Sequence, residues 1–376
     1  MKLELTTAAH NAELLRFYEQ FTLKNQAEFR VSRNKDFFAP YRLQSDSHNT
    51  YVLRDLDQQI QALASFVFRQ TDFLGERKTI ATALDLRVAP SRKAILEWSQ
   101  HFFPVLTQVI EEKKLDFVFS SLDLNEAGAM NTFVRPRQMK RPIPRYYLYR
   151  KYDLVSIHGH WPWAEPPLAS LKISPAHSGN LDGLIDYAVR RSHFRPFSSF
   201  WDKDSFLKKC ERLPGFKLSD FLVAADANDN VVGCLAPWSG AGIHDYIPLS
   251  YTMRAHNFRQ MLKFFWLFRQ TRRLAKPVAS TGLEAKLQFR YLTNVFADNE
   301  DIFESLIWAA YESVGKNEFL TYAHCHQDYR LLPPEDWITA SQAQALYAVV
   351  PPEKPMPDFL HPSFAENPEI EACYFL

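Results

Sequence analysis

Residues 50–68 read TYVLRDLDQQIQALASFVF, and residues 220–238 read DFLVAADANDNVVGCLAPW. Laying Asp55 on Asp226 puts Ile60 on Val231 and Ala62 on Gly233, an offset of 171 residues in each pair. Each copy spells an apolar strand, a turn rich in Asp, Asn or Gln, and a second strand with small residues on one face. A period this long belongs to a whole domain rather than to a solenoid unit. The chain therefore reads as two related domains, one in each half.

Working outward from the first copy, residues 12–28 carry Leu14, Leu15, Tyr18 and Phe21 at helical spacing. After the hairpin, KTIATALDLRVAP is a strand. KAILEWSQHFFPVLTQVIEEKK (residues 93–114) then aligns Trp98, Phe102, Val105 and Val109 on one helical face, with Pro104 a point of kinking. LDFVFSSLDL (115–124) is a buried-type strand, NEAGAMNTFVRPR (125–137) a short helix, and RYYLYRKYDLVSIHG (145–159) a closing strand or pair. Residues 161–176, rich in Pro and Trp, read as a linker between a domain at 1–160 and another at 177–376. The second half repeats the order, with LQFRYLTNVFA, NEDIFESLIWAAYESVG, EFLTYAHC and QALYAVV as strand, helix, strand, strand. A basic insert near 245–283 widens the offset to 207 if Val88 is matched to Val295. The fold class is α/β, a mixed α+β sheet in each domain with its first two strands antiparallel.

Composition narrows the function classes. A formal charge of +1 gives no global attraction to nucleic acid or anionic membrane. Eleven Gly against 30 Phe argue against glycine-rich phosphate loops, and no Ser-His-Asp spacing, P-loop or dinucleotide fingerprint is present. Cys210, Cys234, Cys325 and Cys373 lack metal spacing and read as reduced thiols of a cytoplasmic protein. The opening MKLELTTAAHNAELL has acids early and no signal-type apolar core, so secretion is not expected. No run reaches ~18 apolar residues, so no membrane span is expected either.

Residues 84–102, LDLRVAPSRKAILEWSQHF, resemble the centre of the GNAT superfamily of N-acetyltransferases: strand, Val-x-Pro, Arg, then a long amphipathic helix. The next strand, an Asn-Glu-x-x-Ala start and a closing Phe-Val-Arg (125–135) resemble the segment that follows in that family. Through the repeat the resemblance extends, more faintly, to about 176–350, giving a tandem arrangement of two acetyltransferase-like domains, each a mostly antiparallel sheet flanked by helices. It implies acetyl-CoA or another acyl-CoA as co-substrate. Pantetheine would pair with the backbone of Leu86, Arg87 and Val88, and the pyrophosphate would meet amides at Arg92, Lys93, Ala94 and Ile95, with both cationic side chains assisting. The sequence departs from the family where two glycines are expected, at Lys93, Ala94 and Ile95, and where a proton-donating Tyr falls near Phe133. In the second copy Asp298, Glu300 and Asp301 crowd the helix start, which caps a helix well and binds an anion poorly. The first copy is therefore the expected cofactor site.

Asp85, beside that strand, is a candidate base, its plain alternative being a carboxylate paired with Arg87 or solvated. Asn125 is a candidate for ordering water or the pantetheine end, its plain alternative being a helix cap. His324 and His326 share a strand face, yet nothing converges with them, so no metal is expected. The basic stretch at 135–151 reads as a solvated loop, and nucleic acid is not the expected partner. In the insert, Phe258, Met261, Leu262, Phe265 and Phe268 form an apolar stripe beside Arg and Lys, read as a helix packed on its own domain or the neighbouring one, with an interfacial helix or a cover over the substrate cleft as the alternatives. The overall expectation is a cytoplasmic, bacterial-type N-acyltransferase moving an acyl group from acyl-CoA to a small-molecule or peptide amine. The rival is a non-catalytic binder that kept the fold, and a third idea is aminoacyl transfer from charged tRNA. Oligomeric state is not written in the sequence.

Overall fold

The computed structural model describes residues 1–135, 143–164, 168–361, 364 and 366–375. The first half runs through β1 (Lys2–Leu5), α1 (Asn11–Tyr18), β2 (Thr22–Lys24), β3 (Ala27–Ser32), α2 (Ala39–Arg42), β4 (His48–Arg54), β5 (Ile60–Phe73) and β6 (Glu76–Val88). It closes with α3 (Arg92–Lys113), β7 (Phe117–Asp123), α4 (Ala127–Ala129) and β8 (Arg145–His160). The second half holds β9 (Lys172–Pro175), α5 (Leu181–Ser192), α6 (Lys203–Glu211), β10 (Leu222–Ala225) and β11 (Val231–Trp238). The insert follows as β12 (Asp245–Tyr251), α7 (Met253–Trp266) and α8 (Val278–Thr281). Then come β13 (Phe289–Ala297), α9 (Glu300–Ser313), β14 (Phe319–Cys325), β15 (Trp337–Val350) and α10 (Ala372–Phe375).

The repeated hairpins, β4–β5 and β10–β11, share one turn. Asp55 Oδ1 accepts from the amides of Asp57 and Gln59, as Asp226 Oδ1 accepts from Asn228 and Asn230. Gln58 and Asp229, again 171 apart, both adopt φ near +60°. An Asx turn explains why the repeat conserves Asp here while its neighbours drift. The next equivalence differs from the sequence reading. Val88 pairs with Ala62 as Ala297 pairs with Gly233, so the offset is 209 and Val88 matches Ala297, not Val295. In this register Asp85 matches Asn294, and both carry left-handed φ, 55° and 50°. Each sits in a bulge where the sheet register shifts, and Asp and Asn tolerate that conformation better than most side chains.

Twelve strands form one sheet in the order β1-β4-β5-β6-β7-β15-β8-β14-β13-β11-β10-β9. The two centre strands are exchanged between halves: β15 pairs with β7 of the first half, and β8 pairs with β14 of the second. β8 and β15 also pair with each other along their lengths, from Trp337 opposite His160 to Val350 opposite Arg145. Helix α3 covers one face of the first half through Trp98, Phe102, Val105 and Val109, packed on Phe66, Ala81 and Val118. α9 does the same in the second through Phe303, Leu306 and Ala310. The opposite face is covered by α1 and α2 in one half and by α5 and α6 in the other.

The helix read over 12–28 is shorter than expected. α1 ends at Tyr18, and residues beyond it become β2 and β3. The reason lies far along the chain: β3 pairs with β12 of the insert, so Phe29 and Val31 belong to a three-stranded sheet joining the halves.

Candidate active site

In each half two parallel strands pair at one end and then part. β6 and β7 are in register only at Ile80–Phe117, Ala81–Val118 and Thr82–Phe119; β6 then runs on to Val88 and β7 to Asp123 without further pairing. β13 and β14 repeat this, in register only from Phe289–Phe319 to Tyr291–Thr321. Each half thus holds a notch with backbone groups on both lips, and the bulge at Asp85 or Asn294 bends one lip outward.

The first notch opens toward the start of α3. Ser91 caps that helix, its Oγ accepting from Ala94 N at 3.2 Å, and Ile95 N reaches Ser91 O at 3.0 Å. Two of the four expected phosphate-binding amides are therefore already engaged, which leaves those of Arg92 and Lys93 at the open helix end. Both cationic side chains are exposed, as is Ile95, whereas Ala94 is buried beneath the turn. On the strand, Leu86 and Val88 turn toward the α3 layer. The Leu86 carbonyl accepts from Arg87 Nη1 at 3.2 Å, and the Arg87 guanidinium lies over the Tyr18 ring. Phe133 packs between Trp98 and Tyr146, with ring centroids 5.8 and 5.0 Å away.

Asp85 is paired with Arg33 rather than Arg87. Arg33 Nη2 and the Tyr41 hydroxyl each lie 2.6 Å from Asp85 Oδ2, and the carboxylate side chain is only 10 % exposed. Thr50, Ser65 and Tyr41 extend the network as a line of hydroxyls with 2.8 Å steps. Burial alone would raise the Asp85 pKa. The Arg33 and Arg87 guanidinia and the Tyr41 hydrogen bond outweigh it and hold the carboxyl below its ordinary range. The second half contributes here too: His244 and Tyr246 are buried within electrostatic reach of Arg33 and Asp85. Burial and then Arg33 push the His244 pKa down to about 3, so its ring is neutral.

Asn125 is not brought to Asp85. It is exposed in the turn after β7, where its amide donates to Asp123 Oδ1 at 2.8 Å. Glu126, not Asn125, caps α4, accepting from Gly128 N. The lip residue that sequence reasoning missed is Asp123, whose Oδ2 accepts from Gln342 of β15 and from Asn25. A polar residue closing the apolar run of β7 was the available signal. Arg33, Tyr41 and His244 gave none, since each comes from a different element. Arg137, Lys140 and Arg141 of the basic stretch lie outside the described residues.

The second notch is filled by the chain itself. Glu371 Oε1 accepts from the amide of Asn294 at 3.1 Å, at the bulge, and from Lys209 Nζ at 2.7 Å. Glu369 accepts from the same ammonium and from Ser199 N. The cavity left between Leu292, Tyr322, Ala323 and Ile370 measures about 30 Å³, room for little more than a water. Asp298 stands just before α9, and Asn299 Oδ1 caps that helix through Ile302 N. Among the described residues, no group of His, Cys, Asp and Glu is arranged to hold a metal, and no helix is long and apolar enough to cross a membrane.

Solved structures share this architecture. The GCN5-related glucosamine N-acetyltransferase region of a fungal multi-domain GH3 β-N-acetylglucosaminidase superposes with a TM-score of 0.50 at 11 % identity, over 83 % of this chain and 34 % of that one. A Saccharomyces cerevisiae N-myristoyltransferase with bound myristoyl-CoA gives 0.49 at 12 % identity over 97 % and 84 %. A GCN5-related N-acetyltransferase from Sphaerobacter thermophilus gives 0.46 at 11 % over 82 % of both chains. No protein-family model matches the chain, and no curated protein matches its sequence. The likeness is one of fold, carried by the N-acetyltransferase region at a TM-score of 0.50.

Proposed function

We propose that this chain is a cytoplasmic N-acyltransferase whose first half binds acetyl-CoA or another acyl-CoA and passes its acyl group to an amine. One observation carries the reading: of two notches with the same construction, the second is plugged by residues 367–371 and its strand 291–297 is buried, whereas the lips of the first, residues 83–88 and 121–123, stay half-exposed. A thioester arm laid between β6 and β7 would meet backbone groups at Leu86, Arg87 and Val88. Its phosphates would meet the α3 start with Arg92 and Lys93, where the helix dipole favours anions. The four cysteines are free and buried, which fits a reducing compartment.

The acceptor would be a small-molecule or peptide amine that attacks the thioester directly. The C–N bond forms as the C–S bond breaks; the coenzyme A thiolate departs and takes a proton from solvent, and the amine proton leaves to water or a nearby base. Asp85, held ionised, is a weak proton acceptor; its part in this scheme is to fix the bulge and orient the amine, so positioning carries the rate. Asp123 on the opposite lip, with Gln342 beside it, offers the acceptor a second carboxylate. Asn125 would act only from the rim. The low Asp85 pKa and the absence of a hydroxyl at Phe133 are what favour the second reading, a protein that binds a ligand in this notch without catalysis.

Thermal unfolding with and without acetyl-CoA tests the proposal. Ligand at ~100 times its Kd raises stability by about 2.7 kcal/mol, a visible shift in Tm. The shift should vanish in Arg92→Ala combined with Lys93→Ala, both exposed and not needed for folding. No shift with short- or long-chain acyl-CoA would end the acyltransferase reading.

A further inference from the structure

Helix α7 is apolar on two sides. One side packs on the protein: Leu262 is fully buried, Phe258 meets His158, and Phe265 meets Trp161. The other side faces solvent. Met253, Phe264, Leu267 and Phe268 are 76, 57, 67 and 62 % exposed, and at 100° per residue they fall on one outward arc running off the helix end. Trp161 stacks on Trp163, which is 65 % exposed and extends the patch, its indole nitrogen donating to Asp336.

The patch's own segment carries charge of one sign, and Asp336, hydrogen-bonded to Trp163, is a carboxylate at its edge. Residues 246–283 contain no Asp or Glu. Arg254 and Lys263 flank the outward arc, and Arg269, Arg273 and Lys276 follow it, all exposed. Among the described residues none of these five cations has a carboxylate partner, although the rest of the surface is laced with ion pairs. Their charge is thus available to an outside anion, and each Lys or Arg near an anionic bilayer adds to the attraction. Leu267 and Met253 offer no ring for base stacking, whereas they suit burial at the acyl boundary beside Phe and Trp.

The geometry points to a membrane-surface docking site: α7, its trailing turn and Trp163 seat the protein on bilayers bearing anionic lipid. The helix would lie flat with its outward arc immersed and the five cations at headgroup level. The inference is independent of the acyl-transfer proposal, since the patch shares no residue with the first notch.

Sedimentation of the full chain with vesicles decides it. Phosphatidylcholine vesicles containing about one-third phosphatidylglycerol should bind the protein, pure phosphatidylcholine should bind it at least about tenfold less, and added salt should release it. Phe264→Ser with Leu267→Ser and Phe268→Ser should weaken binding about tenfold or more, and so should Lys263→Glu with Arg269→Glu. Both variants should keep the parental Tm, because these side chains are more than half exposed or solvated. Failure to bind anionic vesicles at low salt, or equal binding to both compositions, overturns the proposal. So does a concentration-dependent dimer broken by the serine variant, or RNA binding that the vesicles do not compete.

Discussion

Asp85 shows how little of a side chain's role its neighbours in sequence reveal. The alternation of residues 84–88 marks a strand, but the bulge and the partner were invisible, because Arg33 and Tyr41 arrive from other elements. Arg33 is 3 % exposed, so Asp85→Ala would strand a buried guanidinium. We expect a loss of about 3–5 kcal/mol in urea unfolding, with Asp85→Asn losing less because the amide keeps a hydrogen bond to Tyr41. The sign of the pH dependence follows from the lowered pKa. The carboxylate's contribution is full above its unfolded value of about 4 and is lost as pH falls through the lower folded value. The Tm of the parent should therefore drop on acidification more steeply than that of Asp85→Asn. By contrast Asp55 and Asp226 were legible, since an Asx turn writes its function into the next four residues.

Elements were legible where their stabilising contacts are local. The hairpins, α3 and α9 announce themselves by period and caps. Strand β3 did not, because what decides Ala27–Ser32 is pairing with Asp245–Tyr251 more than 200 residues away, and that overrides the helical spacing before it. The end of β8 has a similar distant cause. Gly159 lies against the strap that follows α7: His160 N reaches Gln270 O at 3.3 Å, and Arg272 N reaches His158 O at 2.7 Å. A Cβ on Gly159 would stand 2.2 Å from the Gln270 carbonyl oxygen, which is backbone and cannot swing aside. Gly159→Ala should cost about 1–3 kcal/mol in chemical denaturation and loosen the strap. An unchanged midpoint, or amide exchange no faster at Arg272, would contradict that packing.

At the scale of the whole molecule the repeat pointed to two related halves and hid their exchange of strands within one sheet. Periodicity reports what a strand buries, not which strand it lies beside, so β15 crossing to β7 could not be read from residues 337–350. The exchange predicts that residues 1–160 made alone lack the strand that pairs with β7 and leave β8 without either partner. We expect that fragment to be aggregated or unfolded by circular dichroism, and rescued by co-expression with 161–376. The intact chain should melt in one transition, and a soluble, folded 1–160 would refute the prediction. The same crossing has a meaning in time. Ala348 must reach Phe119, so during synthesis β7 waits while the ribosome adds everything from Leu124 to Val350. At 5–20 residues per second that interval is roughly 11–45 s. A nascent half-sheet with an unsatisfied inner edge is what holdase chaperones bind, so the tempo of translation, and not only the final sequence, sets the yield of folded protein.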